Sequence, residues 1–165
     1  MAKIETPHEL FVHELGAALT MEQTSLEMLG KLQEKASNPK LQRQLRLHRQ
    51  ETVQQIQNLR RTFEALGKEP DPQTSQTIEG LEKEGEQKLE QVDGQLVDSV
   101  ILHNVVEAEH YEIGVYDGLI IMAETSGEED LVPLFQENLE QEKRMLDEAI
   151  RSAEQLSYHL GRQFA

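Results

Sequence analysis

The chain has 165 residues, a formal net charge of −15 and no cysteine. This length fits one domain, expected over residues 1–165, and the lack of cysteine excludes disulfides, thiolate metal sites and cysteine nucleophiles. The acidic composition argues against nucleic-acid and membrane partners, because phosphate backbones and anionic lipids repel negative charge.

Two segments with helical periodicity, 7–36 and 39–66, predict the first two helices. Each follows a capping residue, Thr6 or Asn38, and each begins with proline, which is the usual start of a helix. Apolar residues then recur every three or four positions. The short turn between the segments makes the helices antiparallel neighbours, and Gly67 ends the second one.

A connection over 67–94 follows, in which Glu, Lys and Gly are frequent and aliphatic residues are few. A weak helical pattern over 74–89 predicts a short surface helix within it. Apolar periodicity resumes over 95–125 and 128–160, with Gly127 in the turn between these two helices. Two hairpins joined by a connection as long as the bundle predict an all-α, ferritin-like four-helix bundle. The alternative is an ordinary up-down-up-down bundle with an inserted surface helix.

Nothing in the sequence indicates a membrane-directed protein. No apolar segment of the signal-peptide type follows Met1, and no stretch reaches the roughly 18 apolar residues that a membrane span requires. The absence of cysteine fits a reducing compartment. We therefore expect a cytoplasmic protein.

Six polar residues occupy positions where these helices are expected to bury apolar side chains. The neighbours at three and four residues along the helix are mainly apolar or small around Glu22, Glu112 and Glu142, which points these three inward. Burying an isolated carboxylate is costly, so such a group takes up a proton or finds a partner, and a divalent cation is one such partner. The six candidate metal ligands are Glu22, His48, Glu51, Glu109, Glu112 and Glu142.

Distances along the chain place the candidates at one level of the bundle. Glu22 and Glu51 are equally far from the first turn, and Glu112 and Glu142 are equally far from Gly127. Each hairpin therefore puts one glutamate opposite another. At a rise of 1.5 Å per residue, these levels lie about 20 Å from the turns, near the middle of the bundle.

Two further candidates lie one helical turn away from these glutamates. His48 precedes Glu51 by one turn, and Glu109 precedes Glu112 in the same way. Two carboxylates at this spacing repel each other unless a cation lies between them. Five carboxylates and one imidazole suit two Fe or Mn ions, and Zn also fits. For His48 three interpretations stay open: a ligand, a hydrogen-bonding partner of a ligand, or a core histidine.

Short segments in three of the helices resemble the YciE/YciF family of ferritin-like proteins. They are residues 48–52 (HRQET), 109–113 (EHYEI) and 139–143 (LEQEK), and residues 21–23 (MEQ) and 63–67 (FEALG) agree. The resemblance covers nearly the whole chain. It implies a ferritin-like bundle with a di-metal site, dimeric proteins and a link to bacterial stress responses, but no established reaction.

The pair Glu109 and Glu112 is also similar to the third helix of rubrerythrins. Rubrerythrin-like helices place a histidine three residues after the bridging glutamate, whereas this chain has Gln54 and Met145 there. It also has no cysteine for a rubredoxin-type centre that could supply electrons. The sequence thus departs from the rubrerythrin ligand set.

The first functional hypothesis is a di-iron or di-manganese protein that reacts with oxygen or peroxide, with the metal as redox and Lewis-acid element. Under it Glu51 and Glu142 bridge the metals, while His48 and Glu109 complete the shells. The terminal ligands are Glu22 and Glu112.

A second hypothesis is a non-enzymatic structural or interaction bundle whose metal is stabilising or vestigial. An iron-storage shell ranks below both. Tyr116, one turn after Glu112, is interpreted as a core aromatic in preference to a residue that lines the pocket or quenches radicals. A homodimer is expected from the family resemblance, and no catalytic residue is assigned.

Overall fold

A computed structural model describes residues 3–163, and this part of the chain forms five α-helices and no strand. The prediction of one domain over 1–165 includes residues 1–2 and 164–165, which lie outside the described residues, and it stays a prediction. The helices are α1 (Pro7–Lys35), α2 (Pro39–Ala65), α3 (Gln76–Glu90), α4 (Val97–Ser126) and α5 (Val132–Gln163).

Local sequence signals account for where the long helices begin and end. Thr6 and Glu9 form a capping box at the start of α1, in which Glu9 N donates to Thr6 Oγ1 and Thr6 N donates to Glu9 Oε2. Asn38 caps α2 by accepting from Lys40 N at 2.8 Å. Gly127 ends α4 in the left-handed conformation, with φ of 81°.

The helix starts in the second hairpin lie later than the periodicity predicted. A single 3₁₀ turn, Gly94–Leu96, precedes α4, and another, Glu129–Leu131, precedes α5. The helices therefore begin at Val97 and Val132 rather than at 95 and 128. Periodic apolar residues fit a 3₁₀ turn and the first turn of an α-helix about equally well, so such boundaries are uncertain from sequence.

Contacts between the two hairpins fix the direction of the helices. The carboxylate of Asp98 at the start of α4 accepts from Ser37 N at 2.8 Å and from Asn38 N at 3.0 Å, so the first turn lies beside that start. Gln44 near the start of α2 donates to Ser152 near the end of α5 at 3.0 Å. Each long helix thus runs antiparallel to its two neighbours, and the predicted ferritin-like bundle is confirmed.

The connection between the hairpins returns along the groove of α1 and α4. It is fixed near the start of α1, where Gln73 N donates to Gly16 O at 3.0 Å. A Cβ at Gly16 would lie 2.3 Å from the carbonyl oxygen of Asp71. Glycine is therefore required for this close approach of the connection to α1.

The helix within the connection is packed into the fold. Ile78 and Leu89 of α3 are buried against the bundle. Lys31 of α1 contacts Glu82 and Glu86 of α3, each at 2.8 Å. The weak apolar pattern predicted a surface helix, yet its few aliphatic residues are enough to bury one face of α3.

Apolar side chains fill both ends of the bundle and leave a polar layer between them. At the end where α1 begins, the rings of Phe11 and Phe135 meet edge to face at a centroid distance of 6.1 Å. At the opposite end Leu32, Leu41 and Leu102 are buried. Within residues 3–163, every helix is too short or too polar to cross a lipid bilayer.

Candidate metal centre

Four buried side chains from three helices meet in the polar layer. His48 comes from α2, Glu109 and Glu112 come from α4, and Glu142 comes from α5. One potential ligand atom of each lies within 4.8 Å of those of the other three. His48 Nε2 is 3.0 Å from Glu109 Oε1 and 3.8 Å from Glu142 Oε2. Such a group could hold a metal ion.

Helical spacing brings this cluster together. Glu109 and Glu112 lie one turn apart and therefore share the inner face of α4. Their neighbours one turn before and after, Val105 and Tyr116, are buried in the same face. The cluster therefore replaces apolar side chains in the middle of otherwise apolar stripes.

The cluster leaves more acceptor atoms in the interior than the protein can satisfy. Both oxygens of Glu112 and of Glu142, and Oε2 of Glu109, have no hydrogen-bond partner among the described residues. Buried polar atoms without partners are costly and uncommon in folded proteins. Carboxylate oxygens and one imidazole nitrogen are the donors that Fe or Mn accepts, so the residues fit such an ion.

The protonation of the cluster follows from its burial. Burial, reinforced by the charge of Glu142, raises the pKa of Glu112 to about 8. Burial also holds the pKa of Glu109 and of Glu142 well above the usual range. Burial alone disfavours the charged form of His48, but contact with Glu142 raises its pKa overall. Without metal, the cluster therefore retains protons that a cation would displace.

Glu22, the candidate from α1, lies outside the group of four. Its side chain is fully buried, and its Oε1 accepts a hydrogen bond from the hydroxyl of Tyr116. Burial and then the charges of Glu142 and Glu112 raise the pKa of Glu22 well above its usual range. Glu22 is therefore close enough to the cluster to interact with its charges, while its Oε1 already accepts a hydrogen bond from Tyr116.

Glu51, the remaining candidate, also lies outside the group of four. Its Oε1 is 3.2 Å from Nη2 of Arg144 on α5, and its side chain is 18 % exposed. Its Oε2 is buried and has no hydrogen-bond partner in the described part of the chain. Glu51 thus occupies the edge of the centre, and its role as a bridging ligand stays a prediction.

A chain of polar side chains next to the cluster was not predicted. Asn138 donates to the hydroxyl of Tyr116 at 3.0 Å, and Asn58 donates to Asn138 Oδ1 at 2.8 Å. Gln54 in turn donates to Asn58 at 3.3 Å. Two asparagines within apolar stripes were the signal in the sequence. Asn138 lies one turn before Glu142 on α5, and Asn58 lies at a similar level of α2.

Tyr116 was interpreted as a core aromatic, and it is fully buried as a core residue is. Its hydroxyl, however, connects Glu22 with Asn138. Burial raises the pKa of Tyr116 well above its usual range, and the charge of Glu22 adds to this effect. The tyrosine is therefore a neutral donor that orients Glu22.

Comparisons with known proteins agree with this architecture. The family described as "domain of unknown function (DUF892)" matches residues 6–159. Protein YciF of Escherichia coli strain K12 is 28 % identical over 142 residues, which are 85 % of this chain and 86 % of that protein.

Three solved structures are similar over most of the chain. YcfI of Rhodopseudomonas palustris, for which a structural role has been suggested, has a TM-score of 0.87 and 34 % identity and covers 89 % of this chain and 94 % of its own. The stress protein YciF of E. coli has a TM-score of 0.88 and 26 % identity, with 94 % and 99 % covered. A protein of Xanthomonas campestris shares the fold alone, with a TM-score of 0.76, 23 % identity, and 97 % and 100 % covered.

Proposed function

The chain belongs to the DUF892 family, and within this family we propose that it is a ferritin-like di-metal carboxylate protein. The buried cluster of His48, Glu109, Glu112 and Glu142, with its unpaired carboxylate oxygens, carries the proposal. Two Fe ions are the preferred occupants, and Mn or Zn would use the same donors. The proposed activity is a reaction with oxygen or peroxide.

The residues take distinct roles under this proposal. Glu142 and Glu51 would be the bridging carboxylates, and Glu22 and Glu112 would be terminal ligands. His48 and Glu109 complete the two shells. When bound, the metal ions supply the redox and Lewis-acid chemistry.

The protein surroundings support this chemistry in three ways. The helices bury the cluster, which strengthens electrostatic contacts inside it. The hydroxyl of Tyr116 holds Glu22 in one orientation, and Asn138 holds the hydroxyl. Protons retained by Glu109, Glu112 and Glu142 leave when a cation binds, so metal affinity rises with pH.

Oxidation of Fe(II) tests the redox proposal. Protein loaded anaerobically with Fe(II) is mixed with oxygen, and the formation of Fe(III) is followed by absorbance. We expect the double variant Glu112→Gln, Glu142→Gln to lower the rate to that of Fe(II) in buffer. The control is Glu137→Gln on the exposed face of α5, which leaves the rate unchanged. Equal rates for wild type and the double variant would exclude the redox function.

The number and identity of the ions are tested separately. Crystals of purified protein measured at the Fe, Mn and Zn absorption edges report each element by anomalous scattering. We expect two sites bound to the six candidate ligands. A single site limited to the group of four would retain metal binding and remove Glu22 and Glu51 from the ligand set.

The alternative proposal is a structural or interaction bundle with a stabilising or vestigial metal site. It is favoured by the 3.0 Å contact of His48 Nε2 with Glu109 Oε1, because a protonated histidine there offsets carboxylate charge without a metal. The structural role suggested for YcfI points the same way. A metal-loaded protein that unfolds at a higher temperature than the chelated one, yet oxidises Fe(II) no faster than buffer, would favour this alternative.

Assembly and location complete the proposal. We propose a homodimer in the cytoplasm, because the sequence resembles a family in which dimers are frequent and contains no cysteine. The net charge of −15 disfavours binding to nucleic acid. Analytical ultracentrifugation tests the dimer.

A stress-related role is proposed by analogy with the E. coli stress protein YciF.

A further inference from the structure

One carboxylate at the edge of the cluster has its two oxygens in different surroundings. Glu51 Oε1 faces Arg144, whose side chain is 58 % exposed, and the two groups form an ion pair at 3.2 Å. Glu51 Oε2 is a buried atom without a hydrogen-bond partner among residues 3–163. Glu51 therefore lies across the boundary between solvent and the interior of the bundle.

The ion pair crosses the seam between α2 and α5 beside the cluster. Glu51 follows His48 by one turn of α2, and Arg144 follows Glu142 closely on α5. On the side of His48 toward the start of α2, a separate crevice of about 20 Å³ lies between α2, α4 and α5, with Met145 and His48 in its lining. This volume is about that of one water molecule. The ion pair itself, with one oxygen of Glu51 at the surface and the other inside the bundle, is therefore the feature that links the surface to the edge of the cluster.

We propose that Arg144 is a latch that holds Glu51 at this seam, and that a divalent cation arriving there displaces the arginine and draws Glu51 into the cluster. The inference rests on the proposed metal binding. Arg144 lies mainly in solvent, and an ion pair with a solvated partner contributes little to stability, so the arginine can leave at a small cost. A divalent cation is the stronger partner, because it carries two charges and binds carboxylate oxygens directly.

The buried oxygen of Glu51 that lacks a partner, Oε2, indicates that the carboxylate would move toward the interior when Arg144 is displaced. Glu51 Oε2 already lies inside the bundle, so the carboxylate needs a side-chain rotation rather than a movement of α2. The guanidinium of Arg144 returns to solvent, where its charge is hydrated. Under this proposal the guanidinium of Arg144 and the incoming metal ion compete for the carboxylate of Glu51. Binding of the metal ion therefore depends on the release of Arg144.

Simple repulsion by Arg144 must be separated from the latch. Any positive charge near the centre weakens cation binding through space, whether or not it touches Glu51. The latch acts through Glu51, whereas repulsion does not. The effects of Arg144→Gln in the wild type and in the Glu51→Gln variant therefore differ only if the latch exists.

The experiment is a double-mutant cycle with Co(II) and the metal-free full chain, with affinity measured by isothermal titration calorimetry and coordination by visible absorption. We expect Arg144→Gln to tighten Co(II) binding by about two- to fivefold, the range of an exposed ion pair. In the Glu51→Gln background the same substitution gives a smaller gain, which is the part due to repulsion through space. Arg151→Gln is the matched control, because Arg151 lies on the same helix and pairs with Asp147 alone, at 3.8 Å, within the described residues.

Three results would overturn the latch. An equal gain in both backgrounds assigns the effect to repulsion through space, and no gain in either shows that Arg144 does not control Glu51. If the wild type binds no Co(II), the proposed metal function fails and the latch fails with it. Binding of Co(II) without dependence on Arg144 leaves the metal function intact and removes the latch alone.

Discussion

The side chain of Glu112 has two oxygens inside the bundle, and neither accepts a hydrogen bond from residues 3–163. Glu22 differs, because Tyr116 donates to it and Asn138 supports the tyrosine. The two carboxylates are equally buried, yet one has a fixed partner and the other does not. At the scale of the residue, the polar layer therefore combines a partly satisfied region around Tyr116, where Glu22 Oε2 still has no partner among the described residues, with an unsatisfied region around Glu112.

Replacing Tyr116 by phenylalanine tests the satisfied part. The substitution keeps the ring and removes the hydroxyl, which leaves Glu22 Oε1 without its donor and the Asn138 amide without one acceptor. We expect a loss of about 1–3 kcal/mol in the free energy of unfolding of the metal-free protein, measured in urea. Tyr158→Phe, at a residue that is 76 % exposed, is the control and changes stability little. Equal stability of both variants would mean that the hydroxyl bonds contribute nothing.

The four long helices were predictable because their caps and apolar periods are local features of the sequence. Thr6 and Asn38 start helices as expected, and Gly67 and Gly127 lie at helix ends with positive φ. The packing of α3 was not predictable in the same way. Its burial depends on a groove that α1 and α4 form only after they have come together.

The tight approach of the connection to α1 gives a prediction at the scale of the element. Gly16→Ala places a Cβ against the carbonyl oxygen of Asp71 and forces the connection away from α1. We expect a loss of about 1–3 kcal/mol in stability and faster hydrogen exchange at Gln73 N. Gly114→Ala is the matched control in α4, where the added Cβ meets open space among the described residues. This control is expected to be neutral or stabilising by up to about 1 kcal/mol. Similar stability of the two variants would contradict the close approach.

The candidate site was predictable to the level of the helix face, and not to the level of the side-chain partner. Spacing along the helices and distance from the turns predicted that all six candidates meet at one level. Four of them do meet, namely His48, Glu109, Glu112 and Glu142. The partners of Glu22 and Glu51 depend on rotamers and on residues from other helices. Tyr116 was recognised as buried, but its hydrogen bond could not be derived from periodicity.

At the scale of the whole molecule, family and fold agree with the sequence. The resemblance predicted from short segments in three helices is confirmed by the family match over residues 6–159 and by the E. coli relative. Each segment alone is too short to identify the family, so the resemblance depended on the order of the segments along the chain. The same comparisons name no reaction, so chemistry must be tested on the cluster itself.

The stability of the metal-free molecule is expected to fall as pH rises. Glu112 has an ordinary pKa of 4.5 when unfolded and about 8 when folded, so between these values the folded protein keeps a proton that the unfolded chain has lost. The contribution is complete below pH 4.5 and disappears as pH passes about 8, at up to about 1.4 kcal/mol per pH unit for one group. The raised pKa of His48 acts in the same direction.

Urea unfolding at several pH values between 5.5 and 8 measures this slope. In this range exposed carboxylates are ionised in both states and contribute little. We expect Glu112→Gln to reduce the slope and the exposed Glu137→Gln to leave it unchanged. Stability that is constant or rises over this interval would contradict the raised pKa.

The distribution of the cluster over α2, α4 and α5 has a consequence for biosynthesis. A ribosome makes His48 before Glu142, so α2 is complete before α5 exists. Any ligand that needs all four side chains must wait until α5 has left the ribosome and packed against α2 and α4. A growing chain that lacks α5 therefore lacks Glu142 and cannot assemble the complete cluster.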